Sequence, residues 1–244
     1  NLAYGMGTNE SPIENKYSVV KMIADDQEER IDYPPKIVFN CSGRDQLHAL
    51  AQAAAQDERF DDYLVAAISS EDPNNDDYGS WINGEKVSRS EWLNRVNEAE
   101  GKALVFHYDV VTEGIDVPGI SGTVLLRSIG SKGKNLQIMG RAMRLLENER
   151  DVPVEDRLKT HADIYVPIIE DPFDDGQDMN SQFETYKRIL YALQAEGVNI
   201  DPAETRAVTQ ATGDSEDDEN DPLDVREGEE VSDILPDDIG DLAD

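Results

Sequence analysis

The sequence predicts an α/β fold, a parallel β-sheet with helices on both faces. Two observations carry this. Short apolar runs, such as Ile37-Val-Phe and Ala103-Leu-Val-Phe, are hydrophobic along their whole length rather than at every second residue. Strands of that kind are buried on both faces. The runs also alternate with stretches of helical spacing, and that alternation implies crossover connections and a parallel sheet.

The elements follow in order. Ile13 to Glu29 has mixed helical character and stops before Pro34 and Pro35, which cannot continue a helix. Lys36 to Asn40 is a strand. Arg44 to Gln56 is a helix, with Leu47, Leu50, Ala51 and Ala54 at three-to-four spacing for packing on a sheet. Tyr63 to Ile68 is a second strand, followed by a polar loop from Ser69 to Val87. Ser88 and Glu91 have the spacing of a capping box, opening a helix that runs to about Glu100. Ala103 to His107, Thr123 to Arg127 and His161 to Ile169 read as strands, and Leu136 to Leu146 as a helix. Asn180 to Glu196 is an amphipathic helix closed by Gly197. After about Asp201 the apolar content collapses into a stretch expected to be disordered.

Charge is the extreme feature of the composition. The net charge is -31 over 244 residues; Asp214 to Asp244 holds fifteen acidic residues and one base, Arg226, so about -17 remains for the rest. Nucleic-acid affinity comes mostly from Lys and Arg displacing counterions, so composition alone argues against it. Three readings of the acidic tail stay open: a solvating end, a docking or DNA-mimicking segment anchored by Val231, Ile234, Leu235, Ile239 and Leu242, or adaptation to high salt. The single cysteine, Cys41, excludes an internal disulfide and fits an intracellular, cytoplasmic compartment. No apolar run is long enough to cross a membrane, so no membrane partner is expected. The loop-like opening without Met leads us to expect part of a longer protein.

Two segments hold the most chemistry. Asp109-Val-Val-Thr-Glu-Gly-Ile-Asp-Val-Pro118 directly follows a predicted strand, and Gln137-Ile-Met-Gly-Arg-Ala-Met-Arg144 lies on a predicted helix. At helical spacing, Gln137, Arg141 and Arg144 share a face, with Gly140 keeping the helix slim beside them. Two guanidiniums and an amide on one face make a fork suited to phosphate oxygens. An isolated R-x-x-R has a second reading, a solvated face with salt-bridging arginines.

Taken together, the two segments resemble motifs V and VI of superfamily 2 helicases and translocases. Gln137-x-x-Gly140-Arg141-x-x-Arg144 matches Q-x-x-G-R-x-x-R at each defined position, and Thr112-Glu-Gly-Ile-Asp116 matches the small residue, Gly and Asp of motif V. Ile37-Val-Phe-Asn40, followed by Ser42-Gly43 and a helix, resembles motif IV. The resemblance covers about residues 36 to 170 and is to the second RecA-like domain, the helicase C-terminal lobe. Its wording is nearest to restriction-enzyme motor subunits and phage or repair helicases.

That resemblance implies a RecA-like domain at 36–200, preceded by a lead-in at 1–35 and followed by an acidic tail at 201–244. It implies that Arg141 and Arg144 are arginine fingers for ATP and that Gln137 positions nucleotide or water. Asp116, Gly114 and Gly140 would lie at the nucleotide, and Thr112, Ser42 and Gly43 at the nucleic-acid backbone, DNA rather than RNA. No G-x-x-x-x-G-K-[ST] occurs in the sequence. ATP and Mg2+ would therefore be held mainly by a first RecA-like lobe in the same protein, and this chain alone would hydrolyse nothing. The rival reading is a non-catalytic RecA-like module that docks a protein partner through its acidic tail.

Other constellations fall short. Asp72, Asn74 and Asp76 alternate like a calcium loop, but Asp77 stands where Gly is needed. His48, His107 and His161 are scattered, so no metal site is expected. Trp81 and Trp92 read as packing residues before base-stacking ones, and Asp171, Asp174 and Asp175 as an acidic loop.

Overall fold

A computed structural model of the chain describes residues 13–108, 117–126, 137, 140–166, 191, 194, 195 and 197. The order is α1 (Ile13–Arg30), β1 (Lys36–Asn40), α2 (Arg44–Ala55), β2 (Leu64–Ile68), β3 (Ser80–Ile82), β4 (Glu85–Val87), α3 (Arg89–Asn97), β5 (Ala103–His107), β6 (Gly122–Leu125) and β7 (Asp163–Tyr165). The strands form one sheet in the order β4-β3-β2-β5-β1-β6-β7. Pairings from β2 through β5, β1 and β6 to β7 are parallel, and β2-β3 and β3-β4 are antiparallel. The fold is α/β, as its sequence predicts.

Side-chain alternation divides the sheet's two faces cleanly. Ile37, Phe39, Val65, Ala67, Leu104 and Phe106 join Val19, Val20, Ile23 and Ala24 of α1 and Leu47, Leu50 and Ala54 of α2 in one core. Phe39 and Phe106 stack at 4.8 Å between ring centroids at its centre. The residues between them, Val38, Ala66, Ile68, Ala103 and Val105, pack on the other face against Trp92 and Val96 of α3 and against Val117, Ile120 and Ala142. Both faces are covered by packed side chains, which explains why the middles of these strands are apolar. The α1 segment, taken from sequence as part of the lead-in, thus supplies four side chains to the first core.

Polar contacts fix α1 further. Tyr165 of β7 donates to Asp26 at 2.6 Å, and Gln27 Nε2 donates to Asp163 at 2.5 Å and to the Tyr165 hydroxyl at 2.8 Å. In the same turn Glu28 accepts from Tyr63 and Lys102, and Arg59 bridges Glu28 and Asp25.

The predicted polar loop from Ser69 to Val87 contains the β3-β4 hairpin. Its turn is Asn83-Gly84, with φ of 48° and 78°, the left-handed pair that a two-residue hairpin requires. Asn83 also exchanges hydrogen bonds with Val65 of β2, accepting through Oδ1 and donating from its own amide, both at 2.8 Å. Helix α3 starts as expected, Ser88 accepting from the Glu91 amide at 3.2 Å. It ends sooner, at Asn97. Residues 201–244 lie outside the described residues.

Candidate nucleotide-facing segment

The site expected from sequence has three parts, one in each of motifs IV, V and VI. The motif V residues Thr112, Gly114 and Asp116 lie outside the described residues. The strand that leads to them, β5, ends at His107, between Asn40 of β1 and Ile68 of β2. The carboxyl ends of parallel strands are where open α/β sheets bind ligands.

The motif IV residues follow β1 at that edge. Gly43 is the N-cap of α2 in an extended conformation and provides no side-chain cap. Cys41, just before it, is fully buried, as its small apolar character suggests. The Ser42 amide donates to Gln46 Oε1 at 2.8 Å, so a phosphate oxygen would have to displace Gln46 to reach that amide. A Cβ built at Gly43 meets nothing described within 4 Å, which leaves room for close approach.

In motif VI, Gln137, Gly140, Arg141 and Ala142 are helical. Ala142 has 0% exposure and sits in the second core beside Val105, Val117 and Ile120. That seat orients its neighbours: Arg141 is half-buried, and Gln137 and Arg144 are exposed. A Cβ built at Gly140 meets no described atom within 4 Å. Packing in the described chain therefore does not require glycine there.

The structure corrects one expectation. The helix predicted to reach Leu146 stops at Ala142; Met143 is in a turn and Arg144 lies outside the helix, its amide donating to the Arg141 carbonyl at 3.2 Å. Arg144 therefore does not continue the helical face of Gln137 and Arg141. The reason is tertiary. The Lys159 ammonium donates to the Ala142 carbonyl at 2.5 Å and to the Arg144 carbonyl, drawing the chain off its helical path. Leu146 then packs on the turn at Gly119, where φ is +70° and a Cβ would come within 2.5 Å of Leu146 Cδ2. The segment after motif V and the segment after motif VI are in this way packed against each other.

Lys159 escapes sequence reasoning altogether. It is 3% exposed, and Glu149 beside it is 4% exposed. Glu149 accepts from the amides of Leu158 and Lys159, the latter at 3.3 Å. Burial pulls the Lys159 ammonium down to about 8, a fall that the nearby Glu149 charge opposes. Only its position near the end of the arginine segment singles it out, since an isolated lysine in irregular chain has no periodic signature.

Trp92, Trp81, Asp72 and His48 make contacts within the fold, and Asp171, Asp174 and Asp175 lie outside the described residues. Trp92 is fully buried, and the Trp81 indole donates to the Asp77 carbonyl at 3.0 Å. Asp72 accepts from the Asn74 amide at 3.0 Å inside a tight loop. His48 Nε2 lies 3.0 Å from Ser69 Oγ, and burial takes its pKa down to about 4. Among the described residues no three His, Cys, Asp or Glu side chains are placed to hold a metal ion, and no helix is long and apolar enough to cross a membrane.

No family model and no curated protein matches the chain. Solved structures resemble it, three of them as follows. The ATP-dependent Type ISP restriction-modification enzyme LlaBIII bound to DNA aligns at 16% identity and a TM-score of 0.46, over 73% of this chain and 12% of that one. The E. coli DEAD-box protein SrmB, bound to the regulator of ribonuclease activity A, aligns at 18% identity and 0.42, over 72% of this chain and 80% of its own. The C-terminal domain of the DEAD-box protein Dbp5 aligns at 13% and 0.41, over 77% and 81%. Similarities this weak assign no function, which must come from the chain's own residues.

Proposed function

We propose that this chain is the C-terminal motor lobe of an ATP-dependent superfamily 2 DNA helicase or translocase. On this reading it completes an ATP site whose phosphate loop and Mg2+ ligands belong to a first RecA-like lobe. The observation that carries the proposal is the seating of motif VI. Ala142 is locked into the sheet's core, and the residues around it that the motif defines, Gln137, Gly140, Arg141 and Arg144, all stay at least partly exposed. That pattern, a glycine with no described atom against it and two arginines beside it, matches the residue types that phosphate recognition uses.

The residues present fit a bound nucleotide. Gly140 meets no described atom that would block close approach, Arg141 is half-buried, and Arg144 is exposed with its carbonyl held by Lys159. Bound ATP supplies the phosphoryl group that is transferred to water. Arg141 and Arg144 stabilise the charge that develops on it, an effect worth on the order of 10³–10⁵ in rate in phosphoryl transfer. Gln137 orients the nucleotide or the water. On this reading Asp116 and Gly114 would serve the nucleotide, and Thr112, Ser42 and Gly43 the DNA backbone; Thr112, Gly114 and Asp116 lie outside the described residues.

The acidic surface is compatible with this reading. DNA contact at these loops uses backbone amides, and the first lobe supplies the positive charge. The test is ATP hydrolysis by the protein carrying both lobes, measured with and without DNA. Turnover raised by DNA is the expected result. Absence of ATP turnover with and without nucleic acid would favour the non-catalytic docking reading.

A further inference from the structure

Lys159 is a buried cation that the motor chemistry above does not use. Its ammonium is 3% exposed and donates to the carbonyls of Ala142 and Arg144, the residues that flank the end of the arginine helix. A helix C-terminus carries about half a negative charge and unpaired carbonyls, so a cation there is favourable. Desolvating an ammonium is costly, however, and burial lowers its pKa to about 8. Glu149, also buried, offsets part of that cost and fixes the backbone of Leu158 and Lys159 through their amides.

An apolar side chain at 159 would fill the same space without the cost. What the ammonium adds is direction: it takes two particular carbonyls, ends the helix at Ala142, and lifts Arg144 out of the helical path. We propose that Lys159, held by Glu149, is a positioning residue that sets the reach of Arg141 and Arg144 toward the ATP of the partner lobe. The inference rests on the motor-lobe reading above.

The position of a catalytic group matters steeply, since a displacement of about 1 Å can cost ~100-fold in rate. The test uses the protein that carries both lobes and follows steady-state ATP hydrolysis. Lys159→Met keeps the stem and removes the donors. The expected result is a fall in kcat of about 10- to 100-fold with KM for ATP within about twofold, because arginine fingers act on the transition state more than on the bound nucleotide. Lys159→Arg, which keeps a cation and several donors, recovers at least a third of parental kcat, on the order of half a logarithmic unit. In an Arg141→Ala, Arg144→Ala background, Lys159→Met has no further effect on kcat, since residues acting through one another are non-additive.

Parental kcat in a folded Lys159→Met protein overturns the proposal, as does an additive loss in the double-arginine background. Should Lys159→Met fail to fold, Lys159→Gln carries the same expectation, and loss of folding in both assigns the residue to stability and overturns positioning. The motor-lobe reading fails separately, if the arginine variants alone keep parental turnover.

Discussion

Tyr165, on the edge strand β7, donates its hydroxyl to the Asp26 carboxylate of α1 at 2.6 Å, joining positions 139 residues apart. The same hydroxyl accepts from Gln27 at 2.8 Å, and both α1 residues are buried. This contact pins the first helix to the last described strand. It also explains Gly122, where a Cβ would lie 3.2 Å from the Tyr165 ring and 3.3 Å from Gln27 Oε1.

Tyr165→Phe removes the hydroxyl and leaves Asp26 and Gln27 without that partner in a buried setting. The expected cost is about 1–3 kcal/mol, the range for stranding a buried polar group. Urea unfolding measures it as a lowered midpoint at constant slope. A midpoint equal to the parent's would show that the Tyr165 hydroxyl contributes nothing to holding α1.

Glu28 makes stability depend on pH. Burial pushes its pKa up, but hydrogen bonds from Lys102, Tyr63 and Arg59 outweigh that and bring it down to about 2, below its ordinary value of 4.5. A carboxylate whose folded pKa is depressed stabilises the fold above its unfolded pKa and loses that contribution as pH falls through the folded one. The expectation is a loss of stability between about pH 4.5 and about pH 2, smaller in Glu28→Gln. Thermal midpoints across that range check it; an equal fall in both proteins would assign the acid lability to other groups.

Gly140→Ala separates packing from function. The added methyl meets no described atom within 4 Å, and alanine favours a helix over glycine by up to about 1 kcal/mol. The variant is expected to unfold at the parental temperature or higher, while ATP turnover falls ~10-fold or more because the methyl intrudes where the nucleotide approaches. A less stable variant with parental turnover would make Gly140 a packing residue.

Much of this architecture is legible in the sequence. The strands at 36–40 and 103–107 are apolar through Ile37–Phe39 and Ala103–Phe106, so their centres read directly from composition, while the buried ends Lys36, Asn40 and His107 are polar. The β3-β4 hairpin was hidden because its strands are only three residues long and Glu85 and Lys86 face solvent. Its one signal was Asn83-Gly84, a turn pair flanked by Trp81, Ile82 and Val87. The arginine helix was overrun for a different reason. Leu145 and Leu146 continue its apolar spacing, yet Leu146 serves the turn at Gly119, and Lys159 supplies the competing hydrogen bonds. Local periodicity cannot register a partner that arrives from fifteen residues downstream, as the Lys159 bond to Arg144 does. The candidate site residues rest on motif alone, since spacing makes Arg141 and Arg144 no different from a solvated pair.

The most direct test of the motor-lobe account is the single-turnover rate of ATP hydrolysis in the two-lobe protein bearing Arg141→Ala and Arg144→Ala, with DNA saturating. The account predicts a rate lower by about 10³-fold or more, with ATP still bound through the first lobe. Hydrolysis at the parental rate would contradict it.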